Sequence, residues 1–264
     1  MPQNTNQPEQ FYGKDLAYVH DLGYGEIAEA AALFLLQQLE TSNLNSGLII
    51  DLGCGSGIFA KEICQSPNNY DFIGVDYSQD FLDIARQKAP KAQFIPSSFL
   101  DFAIPPCLAV TSIGECLNYQ SDRRNNWAAL TDLFQRIYNS LQPNGIFLFD
   151  LIEPGILGGN SSAKKIVERS EWTMFLEYEE NFEEATLTRN ITLFRKTANG
   201  YQKSKEIHGV KLYPRELVRE ALENLGFSVT LLDNYNGVNF RNKHVGFLAE
   251  KKLVCSNRFS DLYR

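Results

Sequence analysis

Two short segments carry residue types whose spacing could do chemistry. The first is Leu48-Ile-Ile-Asp51-Leu52-Gly53-Cys54-Gly55-Ser56-Gly57-Ile58, and the second is Gly74-Val75-Asp76-Tyr77-Ser78. In the first, an apolar run ends in glycines and a helical pattern follows. Glycine permits a tight turn and lets a ligand approach the backbone closely. A nucleotide-type ligand is therefore expected outside the carboxyl ends of the strands. The dinucleotide fingerprint needs a glycine three positions after its second glycine, and counting from Gly53 and Gly55 that place holds Ile58. Asp51, at the end of the apolar run, would repel a pyrophosphate but suits a ligand with an ammonium and a sulfonium. Asp76 is placed to accept hydrogen bonds from ribose hydroxyls.

These two segments, in this order, resemble the first two motifs of the class I S-adenosylmethionine (AdoMet)-dependent methyltransferases. The resemblance spans roughly residues 48–253. It implies AdoMet as cofactor, and a Rossmann-like α/β fold with a seven-stranded, mostly parallel sheet and helices on both faces. Asp51, Gly53, Cys54, Gly55, Asp76 and Tyr77 fall on its cofactor-binding positions. The loop after the third strand, containing Ser98 and Phe99, would meet the adenine. Ser98 stands where the family commonly has an acidic residue, so the Ser98 hydroxyl and Phe99 backbone would substitute. Ser112 lies on the segment that passes the methionine part. Asn144 replaces a usual glycine before the fifth strand, a mild departure because asparagine tolerates positive φ. The segment 206–213 is also similar to small-molecule N-methyltransferases, including nucleotide-sugar amine dimethyltransferases, which carry antiparallel strands after the fifth strand.

A sulfonium methyl is already electrophilic, so the protein must position the acceptor and exclude water. If the acceptor is an amine or hydroxyl, a base helps. Glu115 and His208 are the catalytic candidates, and Tyr18, His20, Tyr24 and Tyr119 the substrate-binding ones. Each has a plainer reading. His208 fits a structural cross-strand histidine equally well, Glu115 a substrate contact or cap, and His20 an anchor for the N-terminal segment. Cys54 reads as a packing residue.

The elements that must position these residues alternate. A polar N-terminal tail precedes a helix over 24–40. Strands follow at 47–52, 71–75, 93–95, 108–112 and 146–152, with helices at 58–65, 78–88 and 122–141 between them. Such alternation implies a parallel sheet with right-handed crossovers. From 164 to 213 the pattern becomes antiparallel, with strands at 172–180, 187–195 and 201–212 and a hairpin at Asn199-Gly200. A helix to Leu225 and strands at 227–234 and 245–253 complete the chain. Accordingly, residues 1–23 are read as a tail or lid, 24–163 with 214–264 as the cofactor-binding domain, and 164–213 as an antiparallel excursion. That excursion would be an acceptor cap or a homodimer surface.

The formal net charge of −7 argues against a nucleic-acid backbone as main partner. No apolar span is long enough to cross a bilayer, so no membrane is expected. Five cysteines without a Cys-x-x-Cys pair, and three histidines, give no metal-ligand spacing. They fit reduced thiols in a cytoplasmic protein. The acidic run Glu177, Glu179, Glu180, Glu183 and Glu184 reads as a solvated strand edge and turn. The expected function is methyl transfer to a small-molecule acceptor. An NAD-type oxidoreductase and a non-catalytic AdoMet-binding or dimerisation module are the alternatives.

Overall fold

Buried strands such as Leu-Ile-Ile-Asp-Leu can only be covered on both faces, and the chain supplies helices to both. The computed structural model describes residues 11–252. The tail over residues 1–10 and the end of the last strand at Leu253 lie outside the described residues. In chain order the elements are α1 (Lys14–Gly23), α2 (Glu26–Thr41), β1 (Ser46–Leu52), α3 (Ile58–Gln65), β2 (Asn69–Asp76), α4 (Gln79–Lys88), β3 (Gln93–Pro96), β4 (Cys107–Ser112), α5 (Trp127–Ser140) and β5 (Leu141–Ile152). A second set follows: β6 (Ser161–Glu168), β7 (Trp172–Asn181), β8 (Thr186–Thr197), β9 (Gly200–Lys211), α6 (Arg215–Leu225), β10 (Phe227–Leu232), β11 (Asn234–Tyr235), β12 (Val238–Asn239) and β13 (His244–Lys251).

The seven-stranded sheet runs β10-β13-β5-β4-β1-β2-β3. β13 pairs antiparallel with β5 and β10, while β1 to β5 are parallel. Consecutive residues point to opposite faces of a strand. Ile49, Ala109, Leu148 and Leu248 meet α2, α3 and α4 on one side. Ile50, Val110, Phe149 and Phe247 meet α5 and α6 on the other. The order reverses between β1 and β4, so their carboxyl ends open a crevice there. Ser78 caps α4 by accepting from Phe81 N, and Asn144 has the positive φ its type tolerates, 63°.

Four features differ from the expectations. Within the segment read as tail or lid, residues 14–23 form the helix α1, with Leu16 and Val19 packed against Trp172, Met174 and Leu193. β6 pairs with β7, so the antiparallel sheet has four strands in the order β6-β7-β8-β9. β7 is therefore an inner strand rather than an edge. Glu180 is buried and accepts from Gly155 N and Leu157 N, which takes it out of the solvated acidic run. Finally, α5 starts at Trp127 behind an Asn126 cap, because Asp122 is held by Ser98 and Arg124 in the preceding turn. Among the described residues no helix is long and apolar enough to cross a membrane.

Candidate functional site

The turn after β1 builds a cradle at the crevice. Gly53 has φ +80°, and a Cβ there would lie 2.7 Å from both Cβ and Sγ of Cys116. Only glycine fits against that neighbour. At Gly55 and at Gly114, on the exit of β4, a Cβ would meet nothing within 4 Å. Both glycines face open space. That space is a cavity lined by Asp51, Gly53, Cys54, Gly55, Asp76, Tyr77, Ser98, Phe99 and Cys116, with Tyr12, His20 and Tyr24 above.

The acidic groups of this cavity are held by backbone and hydroxyl donors. Asp76 accepts from Gly55 N and Ser78 N, each at 2.8 Å, yet burial pushes its carboxyl up to about 6. Burial raises Asp51 to about 7, against the hydrogen bond that Thr111 Oγ1 donates to it at 2.7 Å. Burial also raises the Cys54 and Cys116 thiols well above their ordinary range, so neither is a nucleophile at neutral pH. Ser98 Oγ donates to Asp122 at 2.7 Å and accepts from Leu100 N. Ser112 is fully buried and donates to Leu52 O at 2.7 Å; it does not line the cavity. Its place is in the β1–β4 seam. The carboxylates facing a lined, open cradle, with no third fingerprint glycine, fit a cationic nucleoside such as AdoMet.

A second cavity lies between the first and the four-stranded sheet, and the two share Tyr12, His20, Tyr24, Ile27, Gly114 and Tyr119. Its walls include Leu16, Met174, Leu176 and Ile191, with Glu115 and Arg189 among its polar groups. Glu115 adopts φ 60° after Gly114 and accepts from Arg189 Nη1. Arg189 Nη1 also donates to Tyr119 Oη at 2.6 Å, and Tyr119 and Tyr12 share a hydroxyl contact of 2.9 Å. Burial raises both tyrosines, which stay protonated. His20 stacks on Tyr24, its Nδ1 is buried without a partner among the described residues, and burial lowers it to about 4. It is a neutral base at pH 7.

The remaining candidates sit elsewhere. His208 is fully buried behind Phe11, ring centroids 4.2 Å apart, and lines neither cavity. Its Nε2 lies 2.8 Å from Glu206 Oε2, which also accepts from Tyr12 N. Tyr18 lies under the Arg195 guanidinium, 3.8 Å from the ring centroid, and faces neither cavity.

With this geometry in place, comparison with known proteins identifies the chain. A methyltransferase-domain family profile matches residues 49–145, from β1 through the turn into β5. Over 216 residues the chain is 33% identical to a carboxy-S-adenosyl-L-methionine synthase of Nautilia profundicola, covering 80% of this chain and 74% of that protein. The chain belongs to the class I AdoMet-dependent methyltransferases. In fold it is similar to an S-adenosylmethionine-dependent methyltransferase from Clostridium acetobutylicum, with TM-score 0.75 and 19% identity, covering 90% of this chain and 98% of that one. It is similar also to the sugar N-methyltransferase KedS8 from Streptoalloteichus, with TM-score 0.71 and 17% identity over 96% and 97% of the two chains.

Three residues of this methyltransferase escaped the motif reading. Tyr12 precedes α1 and enters the site only because the chain folds back over α4, where Ser78 Oγ donates to Tyr12 O. Arg189 lies in an ordinary strand pattern, and nothing in its neighbours marks it. Asp150 is fully buried near the end of β5 and accepts from Gly114 N, Glu115 N, His244 Nε2 and Tyr235 Oη. A carboxylate at the end of an otherwise apolar strand, Phe147-Leu-Phe-Asp150, was the available signal.

Proposed function

We propose that this methyltransferase methylates an amine or hydroxyl of a small molecule held in the second cavity. The observation that carries this reading is the ring of Tyr12, His20, Tyr24, Gly114 and Tyr119 shared by the two cavities. It sets an acceptor in the second cavity next to the cofactor space. When bound, AdoMet supplies an electrophilic methyl on a sulfonium. Asp51, Gly53, Gly55, Asp76, Tyr77, Ser98 and Phe99 hold it, Asp51 toward the amino group and Asp76 toward the ribose. Cys54 packs beneath.

The His20 imidazole is the proton acceptor in this reading. It is uncharged and lines both cavities at their junction. A base so placed contributes about 10²–10⁴-fold. Tyr119 and Tyr24 orient the acceptor. Glu115 is engaged by Arg189 and keeps that guanidinium and Tyr119 in place, while His208 and Tyr18 act behind the site as supports. The roof of β6 to β9 and α1 excludes water.

Incubation of the protein with methyl-tritiated AdoMet and size-fractionated cell extract tests the reading. Label should appear in the small-molecule fraction and fall by about 10²–10⁴-fold with His20→Ala while AdoMet affinity is kept. Label confined to protein or RNA would overturn it.

A further inference from the structure

The second cavity opens past Tyr24 into a shallow mouth lined by Lys165, Arg169, Trp172, Arg241 and Glu168. Tyr24, Lys165 and Arg241 line both the mouth and the cavity, and Tyr24 also lines the cofactor space. The three spaces therefore adjoin one another around Tyr24. The mouth holds three cations and one carboxylate on a chain whose net charge is −7. Such a local reversal of sign focuses anions at the mouth.

These cations are not used up by the fold. Lys164, next along β6, is paired with Glu177 at 2.6 Å. Among the described residues, no carboxylate lies in ion-pair range of Lys165, Arg169 or Arg241. Arg169 is also preorganised. Its N donates to Trp172 O at 2.9 Å, its Nη1 donates to Glu168 O, and its guanidinium lies 5.8 Å from the centroid of the buried Trp172 ring. Arginine and lysine side chains gathered at one mouth suit a phosphoryl or carboxylate group, which arginine binds in two-point fashion.

We propose that Lys165, Arg169 and Arg241 form an anion subsite that holds a phosphoryl or carboxylate group carried by the methyl acceptor. The acceptor's nucleophile then reaches inward to His20 and Tyr119. This assignment rests on the methyl-transfer reading, and its test separates the two. Pyrophosphate is titrated calorimetrically at low salt into the protein saturated with S-adenosylhomocysteine, and into Lys165→Gln/Arg241→Gln. One-site binding, weakened at least about tenfold in the variant and screened by added salt, is expected. Unchanged S-adenosylhomocysteine affinity in the variant shows that the fold and cofactor site are intact. Absent pyrophosphate binding, or binding equal in wild type and variant, overturns the subsite. Failure of wild type to bind S-adenosylhomocysteine would instead strike the methyl-transfer reading and leave the pyrophosphate result to judge the anion site alone. A panel of phosphorylated amines, each compared with inorganic phosphate, distinguishes the source of the anion. Tighter binding of a phosphorylated amine is expected; if none exceeds phosphate, the site serves a free anion and the acceptor assignment falls.

Discussion

Binding of AdoMet should depend steeply on pH, because both carboxyls at the strand ends resist ionisation in the unliganded protein. Burial places Asp51 at about 7 and Asp76 at about 6. A cationic ligand favours the carboxylate form of Asp51, so binding expels a proton wherever Asp51 is protonated beforehand. At about pH 5, two units below its pKa, that deprotonation costs about 2.7 kcal/mol, or about 100-fold in affinity. Asp76 adds up to about tenfold more if it ionises too. Affinity should climb between pH 5 and 7 and flatten above that. The sign for stability runs the other way. Both acids have folded pKa values above their unfolded ones, so the unliganded protein loses stability as pH rises from about 4 through 7. AdoMet should therefore stabilise most at and above pH 7. Calorimetry in buffers of different ionisation enthalpy measures both affinity and protons released. Asp51→Asn should remove most of the pH dependence and leave affinity low at pH 8. A flat profile from pH 5 to 8 without proton release would refute the placement of Asp51 beside the cationic end of the ligand.

Gly53→Ala brings a methyl to 2.7 Å from Cys116 at φ +80°. It should cost about 1–3 kcal/mol in stability and weaken AdoMet binding, checked by urea unfolding and calorimetry; wild-type values would show that the turn yields. Glu115→Gln leaves the Arg189 guanidinium, only 13% exposed, without its counter-charge, and should cost about 3–5 kcal/mol. Urea unfolding of Glu115→Gln/Arg189→Met should recover more than half of that loss, and no recovery would refute the pairing. For His244, burial works against protonation, but the hydrogen bond and charge of Asp150 raise its pKa on balance. The pair's stabilisation is full below about 6.5, the unfolded value, and is lost as pH rises through the raised folded value. The stability gap between wild type and His244→Gln should therefore shrink from pH 6 to pH 9, and a gap independent of pH would refute it.

The cofactor half was legible because its constraints are local. The strand from Leu48, the glycines after it and Asp76 at the end of the next strand must sit together whatever follows. Asn144 at positive φ was readable for the same reason. Tertiary packing decided what was missed. The sequence 14–23 has a short apolar stripe and becomes a helix because Leu16 and Val19 find Trp172 and Leu193 on a sheet far along the chain. β6, Ser161–Glu168, carries a largely polar pattern and is a strand because β7 pairs with its backbone. The family resemblance puts Ser112 on the segment that passes the methionine part, and its place in the fourth strand agrees. Its direction across the pleat, toward Leu52 O, sets it in the seam instead.

His208 shows why a chemically able residue ends up in support. Its partner Glu206 spends both oxygens on the N-terminal segment, Oε2 on Tyr12 N at 2.7 Å and Oε1 on Gly13 N at 3.0 Å. On the other side Ser78, two residues past Asp76, donates to Tyr12 O at 2.7 Å. One strap thus joins β9 of the roof to the cap of α4 in the cofactor half, and Tyr12 reaches from it to Tyr119. Ligand on Asp76 bears on Ser78 through a shared turn, and Ser78 bears on Tyr12. The Tyr12 and Tyr119 hydroxyls are consequently tied, through Ser78, to the turn that holds Asp76. His208, on the strap's far side, holds Glu206 through Nε2 without facing either cavity, and the strap delivers the chain to α1, whose Leu16 and Val19 then pack against the four-stranded sheet.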